Sequence, residues 1–170
     1  GFKSAIMADA AYKNGLYSNP PMIGLEAGGT HWAAWGTSQE WFRLGLYRDM
    51  GLEKPKDFTE FFKTFVKTWD ANNLIALATT WQRNDVGKTP QFNGDSEAAL
   101  ASIKSEVLYM ACETDQYFHI EALRWEAERI PDADFVVIPS LWGHMAGGGF
   151  SEVDANFINE RVAVFLNSGN

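Results

Sequence analysis

Asp115 and His144 are the two residues whose types and placement in the chain could do chemistry together. Asp115 follows a short apolar run at 107–111, and His144 follows a second such run at 135–138. Runs of this length and composition predict buried parallel strands. In parallel sheets, functional side chains collect in the loops just past the carboxyl ends of the strands. We therefore expect Asp115 and His144 to lie at the same edge of one sheet.

A carboxylate that orients an imidazole is the supporting half of a nucleophilic catalytic triad. The carboxylate accepts a hydrogen bond from one ring nitrogen, and the other ring nitrogen takes a proton from a Ser or Cys nucleophile. Taken singly, Asp115 could be an ordinary turn residue, and Gly143-His144 could be a common loop dipeptide with no catalytic role. Their order along the chain, their placement after strands and the helix predicted behind them favour a catalytic acid and base.

The elements that must position this pair form a strand, helix and strand unit near the end of the chain. Apolar residues at helical spacing from Ile120 to Ile130 predict the connecting helix, and Ser151 with Asp154 predicts the start of a final helix.

Upstream, the patterning predicts helices and no strand. These helices cover 2–12, about 21–35, 41–50 after a cap at Ser38, about 57–66 with Asp57 and Glu60 as a capping box, 71–83 capped by Asp70, and 96–103 capped by Asp95 or Ser96.

The domain organisation follows from this division. Residues 1–93 are predicted to be helical, and residues 94–170 are predicted to form the end of an α/β sheet. Parallel sheets bury both faces and normally contain several strands, so two strands cannot complete a domain. We therefore expect the chain to be part of a larger protein.

Composition and charge exclude several classes of function. The chain has 170 residues, 46% of them hydrophobic, and a net charge of -8, which argues against a nucleic-acid-binding surface. No apolar run approaches the about 20 residues needed to cross a bilayer, so we expect no membrane association. The single cysteine excludes an internal disulfide and a cysteine zinc site and fits a reducing, cytoplasmic compartment. We expect no metal and no bound cofactor.

Several short motifs occur in order along nearly the whole chain. They are Ala5-Ile6-x-x-Asp9, Gly15-Leu16-Tyr17, Pro21-x-x-Gly24-Leu25, Trp69-Asp70-Ala71-Asn72, Asp115-x-Tyr117-Phe118, Ile130-Pro131-Asp132-Ala133 and Gly143-His144. With these motifs the chain resembles the homoserine O-acetyltransferase-like branch of the α/β-hydrolase superfamily. The resemblance implies that Asp115 is the triad acid, that His144 is the base, and that residues 1–93 form a helical lid.

Two departures from the family pattern shape the prediction. The nucleophile elbow, G-x-S-x-G, is absent, and the family carries it before the lid. We therefore expect the nucleophile and the oxyanion hole in an N-terminal half that would precede Gly1. Homoserine acyltransferases usually carry Asp directly after the histidine, whereas Met145 stands there in this chain. This favours a less specialised esterase or acyl-transfer relative.

Three further residues are weaker candidates for chemistry. We expect His31 to line or pack a lid helix and His119 to begin the helix after Asp115. Cys112 ends a strand without an elbow motif around it, so we expect a small buried hydrophobe and not a nucleophile.

The leading hypothesis is the C-terminal half of a serine α/β-hydrolase or acyltransferase that acts on an ester or acyl thioester. The family implies a homodimer paired through the lid. The alternative is a non-catalytic member that keeps the fold for partner binding. The upstream residue at the elbow would separate the two: Ser or Cys supports the enzyme, and Gly or Ala supports the binding protein.

Overall fold

The computed structural model describes residues 1–168, and within it the chain divides into two compact units. The first, called here the helical unit, comprises Gly1–Trp35 and Gly45–Asn84. The second, called the sheet unit, comprises Gly36–Leu44 and the chain from Asp85 onward. The short segment Gly36–Leu44 therefore packs with the C-terminal half of the chain. No helix in residues 1–168 has both the length and the apolar character that crossing a bilayer requires.

The upstream half is helical, as predicted, and the described chain contains two strands. The helical unit holds α1 (Phe2–Met7), α2 (Met22–Ala33), α4 (Pro55–Lys67) and α5 (Ala71–Arg83), with 3₁₀ turns at Lys13–Gly15 and Leu46–Met50. The sheet unit holds α3 (Gln39–Leu44), α6 (Ser96–Ala101), β1 (Val107–Cys112), α7 (Ile120–Ala127), β2 (Ala133–Ile138) and α8 (Glu152–Ser168), with 3₁₀ turns at Val86–Lys88 and Gly143–Gly148.

Helix α2 packs closely against its neighbours because it carries glycines on its contacting faces. A Cβ placed on Gly24 would lie 2.8 Å from the Cα of Ile6 in α1. A Cβ placed on Gly29 would lie 2.7 Å from the Cα of Lys63 in α4. Glycine lowers the intrinsic stability of a helix, but here it permits backbones to approach more closely than any side chain would allow.

Two motifs of the helical unit bind one another. The hydroxyl of Tyr17 donates to the carboxylate of Asp70, and the side-chain amide of Asn72 donates to the carbonyl of Gly15 at 3.0 Å. The Asp70 carboxylate also accepts the N–H of Asn73 at 2.9 Å, which confirms the predicted cap of α5. The buried core of this unit lies beside them and contains Ile6, Tyr12, Leu25, Val66, Ala71 and Leu74.

Helix α1 is shorter than the predicted 2–12, because the Asp9 side chain competes for the backbone. Its Oδ1 accepts the N–H of Ala11 at 2.8 Å, and its Oδ2 accepts the N–H of Gly24 at 2.8 Å. An aspartate that bonds nearby amides stabilises a turn in place of a helix. The helix consequently ends at Met7.

The predicted helix over 41–50 is also wrong in part. Gly45 adopts a left-handed conformation with a φ of 71°, so α3 ends at Leu44 and a 3₁₀ turn follows.

The predicted capping box of Asp57 and Glu60 is wrong as well. Asp57 is the third residue of α4, and its Oδ2 accepts the N–H of Lys54 at 2.8 Å. The residue that opens α4 is the proline at position 55.

The two strands pair in parallel, as predicted. Val107 lies opposite Ala133, and the register runs without interruption to Cys112 opposite Ile138. Strand β2 begins two residues earlier than predicted, and α7 ends at Ala127 instead of Ile130. Because the strands are parallel and in register, their carboxyl ends meet at the same edge of the sheet unit.

Candidate active site

The loops that follow β1 and β2 bring Asp115 and His144 together. Nδ1 of His144 lies 3.1 Å from Oδ2 of Asp115. The hydrogen bond expected from the sequence is therefore present. Within residues 1–168, Asp115 is the hydrogen-bond partner of the His144 ring, and no serine, threonine or cysteine side chain bonds to it. The catalytic roles of the two residues remain a prediction.

The Asp115 carboxylate is held by its own loop. Its Oδ1 accepts the backbone N–H of Tyr117 at 2.7 Å and that of Phe118 at 3.2 Å. Burial by itself favours the neutral acid, but the hydrogen bonds from His144 and from these two amides outweigh it and lower the pKa of Asp115. The acid is thus ionised at neutral pH and has a fixed orientation.

The imidazole of His144 is oriented by the ionised acid. A carboxylate only accepts hydrogen bonds, so in the neutral ring Nδ1 carries the proton and Nε2 carries the lone pair. The rings of Tyr117 and Phe118 pack against the imidazole, with ring centroids 4.7 Å and 5.6 Å away. The side chain of His144 is 36% exposed, whereas that of Asp115 is 10% exposed. Nε2 is therefore available to take a proton from a nucleophile.

The backbone turns sharply at Gly143, just before the histidine. Gly143 has a φ of 57°, which a side chain would strain. A Cβ at this position would also lie 3.1 Å from the Cα of Thr37. Glycine is required here by both the turn and the close approach of another segment.

Ser140 connects the loops that follow β1 and β2 to α8. Its hydroxyl donates to Oδ2 of Asp154 at 2.5 Å and accepts a hydrogen bond from the backbone N–H of Trp142 at 3.0 Å. Its carbonyl accepts the hydroxyl of Thr114 at 2.7 Å. Ser140 and Asp154 are 4% and 6% exposed, so these bonds lie in a low-dielectric environment.

Sequence reasoning missed this network, although it singled out Asp154. The pattern of Ser151 and Asp154 was interpreted as a helix start, and the N–H of Asp154 does donate to the Ser151 hydroxyl at 3.2 Å. The inward carboxylate had no local signal, because its partner lies in a different loop.

The remaining candidates lie outside this pair. His119 is the N-cap residue of α7, which confirms its predicted place at a helix start. His31 lies in α2, with its ring centroid 6.4 Å from that of Trp35. Cys112 is buried as predicted, its Sγ lies 3.4 Å from the carbonyl oxygen of Ser140, and burial raises the pKa of its thiol. Among residues 1–168, no three His, Cys, Asp or Glu side chains are grouped as a metal site requires.

Comparison of the sequence with known proteins identifies relatives that act on esters. No protein-family model matches the chain. An ethyl acetate hydrolase of Pseudomonas veronii is 33% identical over 162 residues, which is 94% of this chain and 45% of that protein. A probable esterase of Corynebacterium glutamicum is 30% identical over 156 residues, which is 90% of this chain and 43% of that protein. The chain spans about half the length of these relatives.

Comparison with solved structures finds proteins with the same fold as this chain. The acetyl esterase MekB matches with a TM-score of 0.92 and 31% identity, over 98% of this chain and 48% of that one. A homoserine O-acetyltransferase from Bacillus anthracis matches with a TM-score of 0.80 and 21% identity, over 98% of this chain and 47% of that one, and supports the fold alone. The chain belongs to the homoserine O-acetyltransferase-like branch of the α/β-hydrolase superfamily and forms the C-terminal part of that fold.

Proposed function

We propose that this chain supplies the acid and the base of a serine α/β-hydrolase that cleaves short acyl esters. The observation that carries the proposal is the 3.1 Å contact between Nδ1 of His144 and Oδ2 of Asp115, which orients Nε2 as a proton acceptor. The nucleophilic serine and the oxyanion hole would come from an N-terminal half preceding Gly1, where the resembled family carries its elbow.

The proposed reaction proceeds in two steps. Nε2 of His144 takes the proton of the serine hydroxyl as its oxygen attacks the acyl carbonyl, and the imidazolium then protonates the departing alkoxide. In the second step Nε2 deprotonates a water that attacks the acyl-enzyme, and the imidazolium returns the proton to the serine oxygen as the carboxylic acid leaves. Asp115 stabilises each imidazolium through the Nδ1 hydrogen bond and remains ionised throughout.

Ester hydrolysis is favoured over transfer of an acyl group to homoserine. Met145 follows the histidine where homoserine acyltransferases usually carry Asp, so an acidic partner for a substrate amino group is absent from that position. The relatives that match over most of the chain are named as an ethyl acetate hydrolase and a probable esterase. A homoserine O-acetyltransferase of Clavibacter michiganensis, 32% identical, matches over 56% of the chain. An acyl thioester donor is the second substrate class that the same machinery would accept.

The helical region at 1–93 is proposed to be the lid that the resembled family carries, and the full protein is proposed to be a cytoplasmic homodimer that pairs through the lid. The resemblance supports the lid and the dimer, and the single cysteine supports a reducing compartment. The competing proposal, a non-catalytic binding protein, has the same fold and differs at the upstream elbow residue.

The test compares residues 1–170 alone with the intact protein on a chromogenic acetyl ester. We expect turnover from the intact protein and none from the isolated chain, because the chain lacks the elbow that supplies the nucleophile and the oxyanion donors. Turnover by 1–170 at the rate of the intact protein would place a nucleophile within this chain and contradict the proposal. An intact protein with Gly or Ala at the elbow and no turnover would support the binding protein instead.

A further inference from the structure

Segment 36–44 is bonded to the loop that carries His144, although it lies about a hundred residues earlier in the chain. The hydroxyl of Ser38 donates to the carbonyl of Leu141 at 2.7 Å, and the N–H of Ser38 approaches the same carbonyl at 3.4 Å. Ser38 is 5% exposed, so water does not compete strongly for this carbonyl.

Trp41 reinforces this contact with a fully buried ring. The backbone N–H of Trp41 donates to the Ser38 hydroxyl at 3.1 Å, so that hydroxyl both caps α3 and bonds to the histidine loop. The ring of Trp41 packs edge-on against Trp142, with centroids 5.4 Å apart. Trp41 is 0% exposed and Trp142 is 5% exposed. An edge-to-face pair of this kind stabilises the contact beyond the burial of the two rings.

Segment 36–44 therefore touches each of the three residues that directly precede His144. Leu141 accepts a hydrogen bond, Trp142 is packed by an indole, and Gly143 approaches the backbone of Thr37. Upstream of these three, Ser140 is already anchored by Asp154. Segment 36–44 thus holds residues 141–143, whereas Asp154 holds Ser140. His144 comes directly after these anchored residues in the chain.

We propose that Ser38 and Trp41 are positioning residues for His144. The inference rests on the proposed function, in which Nε2 must meet the serine hydroxyl within about 0.5 Å of the productive geometry. A displacement of about 1 Å in an active site can cost about a hundredfold in rate. Asp115 orients the ring of His144, and the backbone that precedes His144 sets the position of its Cα. A purely structural role would lower stability and leave the ring geometry and the rate constant unchanged.

The first test measures kinetics in the intact protein. Ser38→Ala removes the bond to Leu141, and we expect kcat to fall about tenfold to a hundredfold with KM nearly unchanged. Ser38→Thr keeps the hydroxyl and is expected to restore most of the rate. Ser102→Ala is the control, because the Ser102 hydroxyl donates to a carbonyl within its own turn, that of Ala99, at 2.7 Å. The control is expected to retain wild-type kcat.

The second test follows the proton on Nδ1 of His144 by NMR, in the intact protein and independently of turnover. A proton shared with a carboxylate resonates far downfield, and its loss in His144→Ala assigns it. We expect Ser38→Ala and Trp41→Leu to broaden or shift this resonance, and Trp41→Phe to shift it less. Wild-type resonance and kcat in Ser38→Ala, with a lowered Tm or without one, would make Ser38 a structural residue and overturn the proposal. Absence of turnover in the wild type would contradict the proposed function alone, since the resonance would still report on Ser38.

Discussion

Nδ1 of His144 and Oδ2 of Asp115 lie 3.1 Å apart, although 29 residues separate them in the chain. The contact exists because β1 and β2 are parallel and in register, with Cys112 opposite Ile138 at their ends. Each residue then occupies a loop at the same edge of the sheet. The acid is fixed by two backbone amides of its own loop, so it can orient the imidazole without moving.

Replacing Asp115 with asparagine is expected to abolish most of the turnover of the intact protein. The amide of Asn would donate to Nδ1, so Nε2 would carry the proton and could not act as a base. We expect kcat to fall on the order of 10³- to 10⁴-fold in a chromogenic ester assay. Asp134→Asn, at an exposed position of β2, serves as the control and should keep the wild-type rate. A loss below about tenfold for Asp115→Asn would remove Asp115 from the triad.

Asp115 is also expected to make the stability of the protein depend on pH. Its pKa is lower in the folded state than the about 3.9 of an unfolded aspartate. Its ionised form therefore contributes to the free energy of unfolding above about pH 4, and this contribution disappears as the pH falls through the folded pKa. Urea unfolding of wild type and Asp115→Asn should give a larger difference at pH 6 than at pH 3. An equal difference at the two pH values would contradict the assigned direction of the pKa shift.

The Ser140 network is expected to stabilise the sheet unit. Ser140→Ala would leave the Asp154 carboxylate and the Trp142 N–H without this partner in a buried environment. Such a loss costs about 1–3 kcal/mol in the free energy of unfolding, which urea denaturation of the intact protein measures. Ser151→Ala, which removes a less buried hydroxyl bonded to the N–H of Asp154, is the comparison and should cost less. Equal losses would mean that the buried network adds nothing beyond a helix cap.

A methyl group at position 29 is expected to destabilise the helical unit, although alanine is the better helix former. The new Cβ would lie 2.7 Å from the Cα of Lys63, so α2 and α4 would have to separate. We expect Gly29→Ala to lower the free energy of unfolding by about 1–3 kcal/mol. Gly147→Ala is the control, because a Cβ there meets no atom within 4 Å. An increase in Tm for Gly29→Ala would show that propensity outweighs the close contact.

The sequence predicted the parts of the fold that depend on local pattern. The apolar runs around Val107 and Phe135 indicated parallel strands, and from the strands alone Asp115 and His144 were expected at one edge. The caps at Asp70 and Asp95 are confirmed because a capping residue acts within three positions of itself.

What the sequence did not predict depends on contacts between distant segments. Asp9, whose local bond to Ala11 favours the turn after α1, also bonds Gly24, fifteen residues later. Ser38 was predicted only as a cap, yet the same hydroxyl bonds Leu141. Glycines lower the helix propensity of α2, yet Gly24 and Gly29 permit close packing of backbones from other segments. None of these partners is visible in the local pattern.

The most direct test of the central claim is kcat for His144→Ala in the intact protein on an acetyl ester. Without the imidazole, nothing in the site takes the serine proton, and we expect a loss on the order of 10⁴-fold or more. His119→Ala is the matched control, since His119 only begins α7, and it should retain the wild-type rate. A His144→Ala protein that keeps more than about a tenth of the wild-type kcat would show that His144 is not the base.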